Sequence, residues 1–423
     1  MPDKPSANRN LALLATAGFA ALALALNSSG CGSESTQEPE RTLSIYVSQP
    51  MTGGRGGEDT VRAVEIAVAN QGGAIGSAAI EVIGLNDADP DGQFNPALVE
   101  ANARRAATDP TTIAYIGEYD SGATELAMPI LNRAGILHVS SGSTAVKLTR
   151  PSPELAKKLR PTGIRTFARV IPNDTVQAAA LTEFMEEESV EKVFVVNDGG
   201  TYGTGLEQYF ERAARAGTAK VEAGGTIGPR TDFADLARRI DESGSNALLY
   251  AGSDIAVGLD LFETVHRADP SVKLFGGDGI SLSGFLEGLG DVELDTYVTA
   301  PTLPVGNYAV SGEQFLSTFR EQFGRDAESV AIFGYEAGNA VLDSIRTGVR
   351  GDIGTEAMST LRKGTRDAFF TISERPSALG SYSIDSYGDT SLTFYGAYRV
   401  ENGELLLGRA IDVPLSVLQA VGE

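Results

Sequence analysis

Short apolar runs alternate along this chain with stretches whose apolar residues recur every three or four positions. Ile113, Ala114, Tyr115 and Ile116 form an unbroken apolar run stopped by Gly117, the pattern of a buried strand. Ala123, Leu126, Ala127, Ile130 and Leu131 then fall on one helical face, which Gly135 closes. Ile136, Leu137, His138 and Val139 make a second buried run. Upstream, strands are predicted over 43–47 and 80–83, with a helix carrying Val61, Val64 and Val68 between them. Asn95 followed by Pro96 is a strong helix start, and that helix runs to about Thr108. After Thr149 the chain reads as irregular and Pro-rich, with a strand at 167–170 leaving the first domain. Strands at 192–196, 247–251 and 273–275 then alternate with helices at 175–187, 206–216, 233–243 and 254–268. Beyond Thr302, helices are predicted at 311–323, 329–347 and 356–363. A terminal ribbon follows, alternating through Leu392, Phe394, Gly396, Tyr398 and Val400, turning at Asn402 and Gly403, and returning over 405–411. Alternation of this kind implies parallel-dominated α/β sheets covered on both faces.

The chemistry gathers where strands end. Asp120, Ser121 and Gly122 follow one strand, and Ser140 to Thr144 follow the next. Open α/β sheets bind ligands at the carboxyl ends of their strands. Hydroxyls and free amides at a helix start there suit a carboxylate or another anion. Ser and Thr at these positions also read as helix caps. In the second half, polar strand ends occur at 198–203, 252–254 and 276–279, and Asp278 lies between glycines. An Asp in a glycine-rich loop is also a common turn residue.

Two loops suggest chemistry and fail its requirements. The glycine-rich segment 53–57 after the first strand has Asp59 where a dinucleotide fingerprint needs its third glycine. The acidic loop 86–92 lacks the terminal Glu of a calcium-binding EF-hand and is expected to be solvated.

The chain has 423 residues, of which 42% are hydrophobic, enough for two or three domains with sizeable cores. A formal charge of −22 with no clustered basic residues argues against a nucleic-acid partner. A single cysteine excludes an internal disulfide, and two distant histidines, His138 and His266, leave little for a histidine metal site or a Ser-His-Asp triad. No cofactor, metal site or catalytic residue is expected, and the chain is not read as an enzyme. Residues 1–30 read as an export signal: Lys4 and Arg9 precede an apolar run over 11–26 and small polar residues. Cys31 directly after Gly30 resembles a bacterial lipoprotein cleavage box, which implies lipidation of Cys31; Ser28 departs from the Leu usual three residues before the cysteine. Residues 31–41 are expected to be a flexible tether.

From about Leu43 to Ile411 the chain resembles the type I periplasmic solute-binding proteins of the branched-chain amino acid group. The matching segments are YVSQPMTGG, the helix ending in NQGG, NDADPDG, AYIGEYDSGAT, LHVSSGSTAVKLT, DGGTYGTGLEQ, Asp232-Phe233 and GSYSIDSYGDT, in that order. The resemblance implies a Venus-flytrap architecture, two Rossmann-like lobes joined by a three-crossover hinge. Lobe one would comprise 42–168 plus 302–390, and lobe two 169–301 plus 391–415. It further implies that Ser121 and Thr144 hold a ligand carboxylate, that the Gly142 carbonyl and Asp278 receive an α-ammonium, and that Tyr202 with Ser253 or Asp254 closes over the ligand. The family often carries the longer Glu at the Asp278 position, and Glu118 and Asp120 add negative charge that suits a cationic or hydroxyl-rich ligand.

The function expected on this basis is an exported, lipid-anchored, monomeric solute-binding protein of the periplasm or cell surface. It would deliver a small amino acid-like solute to an ABC transporter permease. The alternative is a ligand-sensing module of the same fold reporting to a separate signalling partner.

Overall fold

A computed structural model describes residues 39–422. The expected signal segment and the lipidation candidate Cys31 lie outside the described residues.

Strands β1 (Arg41–Gln49), β2 (Ala74–Ile75), β3 (Ala78–Asn86), β4 (Thr112–Ile116), β5 (Leu137–Ser140) and β6 (Phe167–Arg169) form one sheet, in the order β2-β3-β1-β4-β5-β6. All its pairings are parallel except the short β2–β3 contact. The second sheet takes β7 (Lys192–Asn197), β8 (Lys220–Thr226), β9 (Ala247–Ala251), β10 (Lys273–Gly276) and β11 (Thr296–Ala300). A small hairpin, β12 (Arg375–Ser377) and β13 (Gly380–Tyr382), stands apart. The terminal ribbon, β14 (Phe394–Glu401) and β15 (Glu404–Asp412), then joins the second sheet, giving the order β15-β14-β11-β10-β9-β7-β8. β14 lies antiparallel to both neighbours, and the other pairings in this sheet are parallel. The chain passes between the sheets after β6, after β11 and before β14.

Each sheet is a layer between helices. On the first, helices Gly56–Asn70 and Ala331–Gly348 cover one face, with Val64, Ile332, Val341 and Ile345 packed on Leu43, Ile45 and Ile113. Helices Pro96–Thr108 and Ser121–Arg133 cover the other, through Val99, Ala103, Ala127 and Leu131. On the second, Leu181, Leu206 and Phe210 pack on one face, and Leu236, Leu261 and Phe262 on the other. Fully burying each such side chain is worth about 1.5–3 kcal/mol. Gly334 lets Ala331–Gly348 lie directly against Gly56–Asn70, because a Cβ there would stand 2.7 Å from Thr60 Cγ2.

The structure departs from the sequence reading at several elements. The Pro-rich stretch after Thr149 contains a helix, Pro153–Leu159, whose Ser152 cap accepts from the Leu155 N–H at 3.3 Å. Proline at its first position is compatible with a helix start, so proline content alone misled there. The helix expected from 206 begins at Thr201, and the one near 356–363 runs Met358–Phe369. β8 and β11 had no clear signal. β8 is an exposed edge interrupted by Gly224 and Gly225, and in the buried β11 Thr296 and Thr299 break up the apolar run that marks the other buried strands.

Candidate functional site

The carboxyl ends of β4 and β5 face those of β9 and β10 across a cleft of about 230 Å³. Ser121, Gly142 and Thr144 line it from the first sheet's side, and Tyr202, Ser253 and Asp278 from the second. All six residues singled out from the sequence as ligand-binding candidates are thus brought to one cleft. The alternative at the Ser253 position, Asp254, instead caps the helix Ile255–Ala268, accepting from the Val257 N–H at 3.1 Å. The cleft continues past Tyr119, Asp120 and Ser253 into a chamber of about 680 Å³ walled by Pro50, Phe94, Ile255, Leu282 and Val330. Asp87 lines this chamber as well.

Ser121 is not the cap of its helix. Asp120 takes that role, accepting from the amides of Gly122 at 2.6 Å and Ala123 at 3.3 Å. Amides expected to be free for an anion are therefore partly occupied by the chain's own carboxylate. The Ser121 hydroxyl accepts from the Ala145 N–H at 3.2 Å, linking the two hydroxyl-rich loops. Ser140 Oγ receives the Ser143 amide at 2.8 Å and donates to the Glu118 carbonyl, fixing the loop that carries Gly142 and Thr144.

The glycines around Asp278 have a steric reason. A Cβ on Gly279 would stand 2.8 Å from the Tyr202 ring, and one on Gly277 2.9 Å from Gln177 Nε2. Tyr202 therefore packs closely against the Asp278 turn, with its hydroxyl donating to Gln177 Oε1 at 3.1 Å. Asp278 is only 6% exposed, and its Oδ1 has no hydrogen-bond partner among the described residues. Burial pushes its carboxyl up to about 6 against the stabilising contacts of Tyr202 and Gln177. Behind it, Asp174 is raised to about 7, first by burial and then by the Asp278 charge, with Thr144 and Arg169 opposing. Burial also raises Asp120. A cluster of carboxylates held above their ordinary range is poised to gain from an incoming cation.

The two sides touch directly. Tyr119 donates to the Asp278 carbonyl at 3.3 Å, Ser253 Oγ to Asp120 Oδ2 at 3.3 Å, and Thr201 Oγ1 to Glu125 Oε2 at 3.2 Å. The structure is a closed arrangement.

The loop 86–92, expected to be solvated, is exposed at Asp89 and Asp91. Asp87, by contrast, is 1% exposed and lines the chamber. Burial raises its carboxyl well above the ordinary range, and the charges of Glu118 and Asp120 add to this. Nothing in the local acidic pattern separates it from its neighbours. The glycine-rich segment after β1 serves close backbone approach: Gly53 and Gly92 both have positive φ, and a Cβ on Gly53 would stand 2.5 Å from Gly92 Cα. Among the described residues, no group of three His, Cys, Asp or Glu side chains is placed to hold a metal ion, and no helix is long and apolar enough to cross a membrane.

Known proteins share this architecture. The profile of the Periplasmic binding protein family matches residues 42–376. A Leu/Ile/Val-binding protein homolog 1 from Brucella abortus (strain 2308) is 24% identical over 291 residues, covering 68% of this chain and 72% of that protein. The crystal structure of a leucine binding protein, LivK, from Thermotoga maritima superposes with a TM-score of 0.74 at 20% identity, covering 88% of this chain and 99% of that one. The branched-chain amino acid transporter substrate binding protein LivJ from Streptococcus pneumoniae, in complex with isoleucine, gives 0.72 at 17% identity, covering 88% and 99%. With its two parallel-dominated sheets, its facing strand ends and a family profile spanning most of its length, the chain belongs to the periplasmic binding protein family, in the type I group that includes the Leu/Ile/Val-binding relatives.

Proposed function

We propose that this protein is an extracytoplasmic solute-binding protein. It captures a small polar ligand, an amino acid or related carboxylate, between its two lobes and delivers it to an ABC importer. The observation that carries this reading is the meeting of Ser121, Gly142 and Thr144 with Tyr202, Ser253 and Asp278 on one closed cleft, where one Asp278 oxygen has no partner among the described residues. An α-ammonium is the natural partner for that oxygen and for the Gly142 carbonyl, since a buried charge is stable only when paired. The hydroxyls of Ser121 and Thr144 offer donors to a carboxylate. A ligand touching both lobes favours the closed state over the open one, which is the signal a permease reads. The amino acid names borne by the relatives agree with this class of ligand. Lipidation of Cys31 would hold the protein at the membrane beside its permease.

A thermal-shift screen of amino acids, small carboxylates, amides and sugars tests the reading. A ligand at a hundred times its Kd adds about 2.7 kcal/mol, a shift of several degrees. Amino acids should shift the wild type and not Asp278→Ala. If only ligands lacking an amino group shift it, the ammonium site is wrong. Export and anchoring are tested separately, by whether Cys31→Ser releases the protein from the membrane fraction.

A further inference from the structure

The acidic groups of the cleft are unevenly matched. Asp120 lines both its parts, Asp278 lines the inner cleft, and Asp87 the chamber beyond. Among the described residues no Lys or Arg lines either part. An α-amino acid with an uncharged side chain brings one ammonium and one carboxylate, and so leaves this negative excess in place. The amides of the helix at Ser121, which would have favoured a carboxylate, are already partly used by Asp120.

Buried carboxylate oxygens without a hydrogen-bond partner among the described residues also occur on Glu118 and Asp174, but two belong to residues that line the cleft and its chamber. Asp278 Oδ1 and Asp87 Oδ1 both lack a hydrogen-bond partner among the described residues, on side chains 6% and 1% exposed. Asp87 keeps only a 3.5 Å contact from Ser48 Oγ on its other oxygen. The chamber that Asp87 lines has apolar walls from Phe94, Ile255, Leu282 and Val330, suited to methylene groups and not to charge. A buried, unpaired carboxylate at the end of an apolar chamber is costly unless a cation or strong donor reaches it.

We propose that the ligand is a basic amino acid, a zwitterion whose aliphatic side chain crosses the chamber and ends in a second cationic group paired with Asp87. This rests on the amino acid reading above and adds the side-chain class. Asp278 receives the α-ammonium, the apolar walls hold the methylenes, and Asp87 takes the terminal charge. Asp120 and Glu118 strengthen the field at that end, since both charges act on Asp87.

Titration calorimetry with L-lysine, L-norleucine and 1,5-diaminopentane tests it on the whole protein. Lysine and norleucine differ at the terminal ammonium, and the diamine lacks the carboxylate. Lysine should bind at least about tenfold tighter than norleucine, and Asp87→Asn should weaken lysine by about thirtyfold or more, narrowing that ratio. The melting temperature of ligand-free Asp87→Asn should not fall, because the substitution removes a buried like charge. Norleucine binding as tightly as lysine overturns the basic side-chain proposal while leaving the amino acid reading standing. Diamine binding without lysine binding overturns both and points to a ligand without a carboxylate. The comparison on the wild type decides the proposal even if the variant folds poorly.

Discussion

Arg169 Nε donates to Asp389 Oδ1 at 2.8 Å, joining two chain segments 220 positions apart at the hinge between the lobes. The same guanidinium donates to the carbonyls of Ser143 at 2.9 Å and Ala145 at 3.1 Å, and to Thr149 Oγ1 at 2.7 Å. Thr144 lies between those two carbonyls. The hinge and the hydroxyl-rich loop of the cleft are therefore one bonded unit, and Arg169 is its fully buried centre.

Breaking this pair should be severe. Asp389→Leu leaves Arg169 charged and buried, with an expected loss of about 3–5 kcal/mol in stability. Because the loop carrying Gly142 and Thr144 hangs from Arg169, ligand affinity should fall as well. Urea unfolding with calorimetry checks both. A loss under about 1 kcal/mol with unchanged affinity would refute the coupling.

Acid residues at and behind the cleft predict an unusual dependence on pH. Asp174 and Asp278 are raised to about 7 and about 6 by burial, so the folded protein holds their protons more tightly than the unfolded chain does. Their contribution to stability is present in full below the ordinary carboxylate value of about 3.9 and is lost as pH rises through 6 to 7. Asp174→Asn should therefore stabilise the ligand-free protein relative to wild type at pH 8, by roughly 2–4 kcal/mol, and have little effect at pH 4. Denaturant titrations at the two pH values measure this directly. Equal effects at both would mean that Asp174 keeps an ordinary carboxyl.

Ligand binding should follow the opposite trend. An ammonium requires Asp278 ionised, so affinity should rise as pH increases through about 6. Asp278→Asn should reduce that dependence to the part carried by Asp87, whose carboxyl is also raised by burial, and cost about 2–5 kcal/mol of binding. A pH-independent affinity in the wild type would place the ammonium elsewhere.

Closure can be weakened without touching the carboxylates. Tyr119 bridges the lobes through the Asp278 carbonyl, so Tyr119→Phe removes one hydrogen bond of the closed state only. The expected penalty is about 0.5–1.5 kcal/mol, seen as a several-fold loss of affinity. Small-angle X-ray scattering should register a larger radius of gyration for the ligand-free variant. An unaltered scattering profile and affinity would show that this bond does not bias closure.

Packing supplies the last prediction. Gly334→Ala would bring a methyl to 2.7 Å from Thr60 Cγ2 and 3.0 Å from the Thr60 carbonyl. Two tightly packed helices have little room to adjust, and the expected loss is about 1–3 kcal/mol. Thermal unfolding at fixed pH reads it, and an unchanged midpoint would mean that the helices separate without strain.

Much of this protein is legible in its sequence because the informative signals are local. Unbroken apolar runs and a period near 3.6 placed most strands and helices of both sheets, the Asn95-Pro96 cap marked one helix start, and alternation marked the ribbon that turns at Asn402-Gly403. The clusters of Ser, Thr, Gly and Asp marked the strand ends that form the cleft. Tertiary structure decided what depends on partners distant in the chain. It made Asp120, and not Ser121, the cap of its helix; it buried Asp87 while leaving Asp89 and Asp91 in solvent; and it joined Arg169 to Asp389. Exposure and charge pairing are properties of the surrounding volume. Three aspartates in one acidic loop look alike until the fold determines which of them loses water.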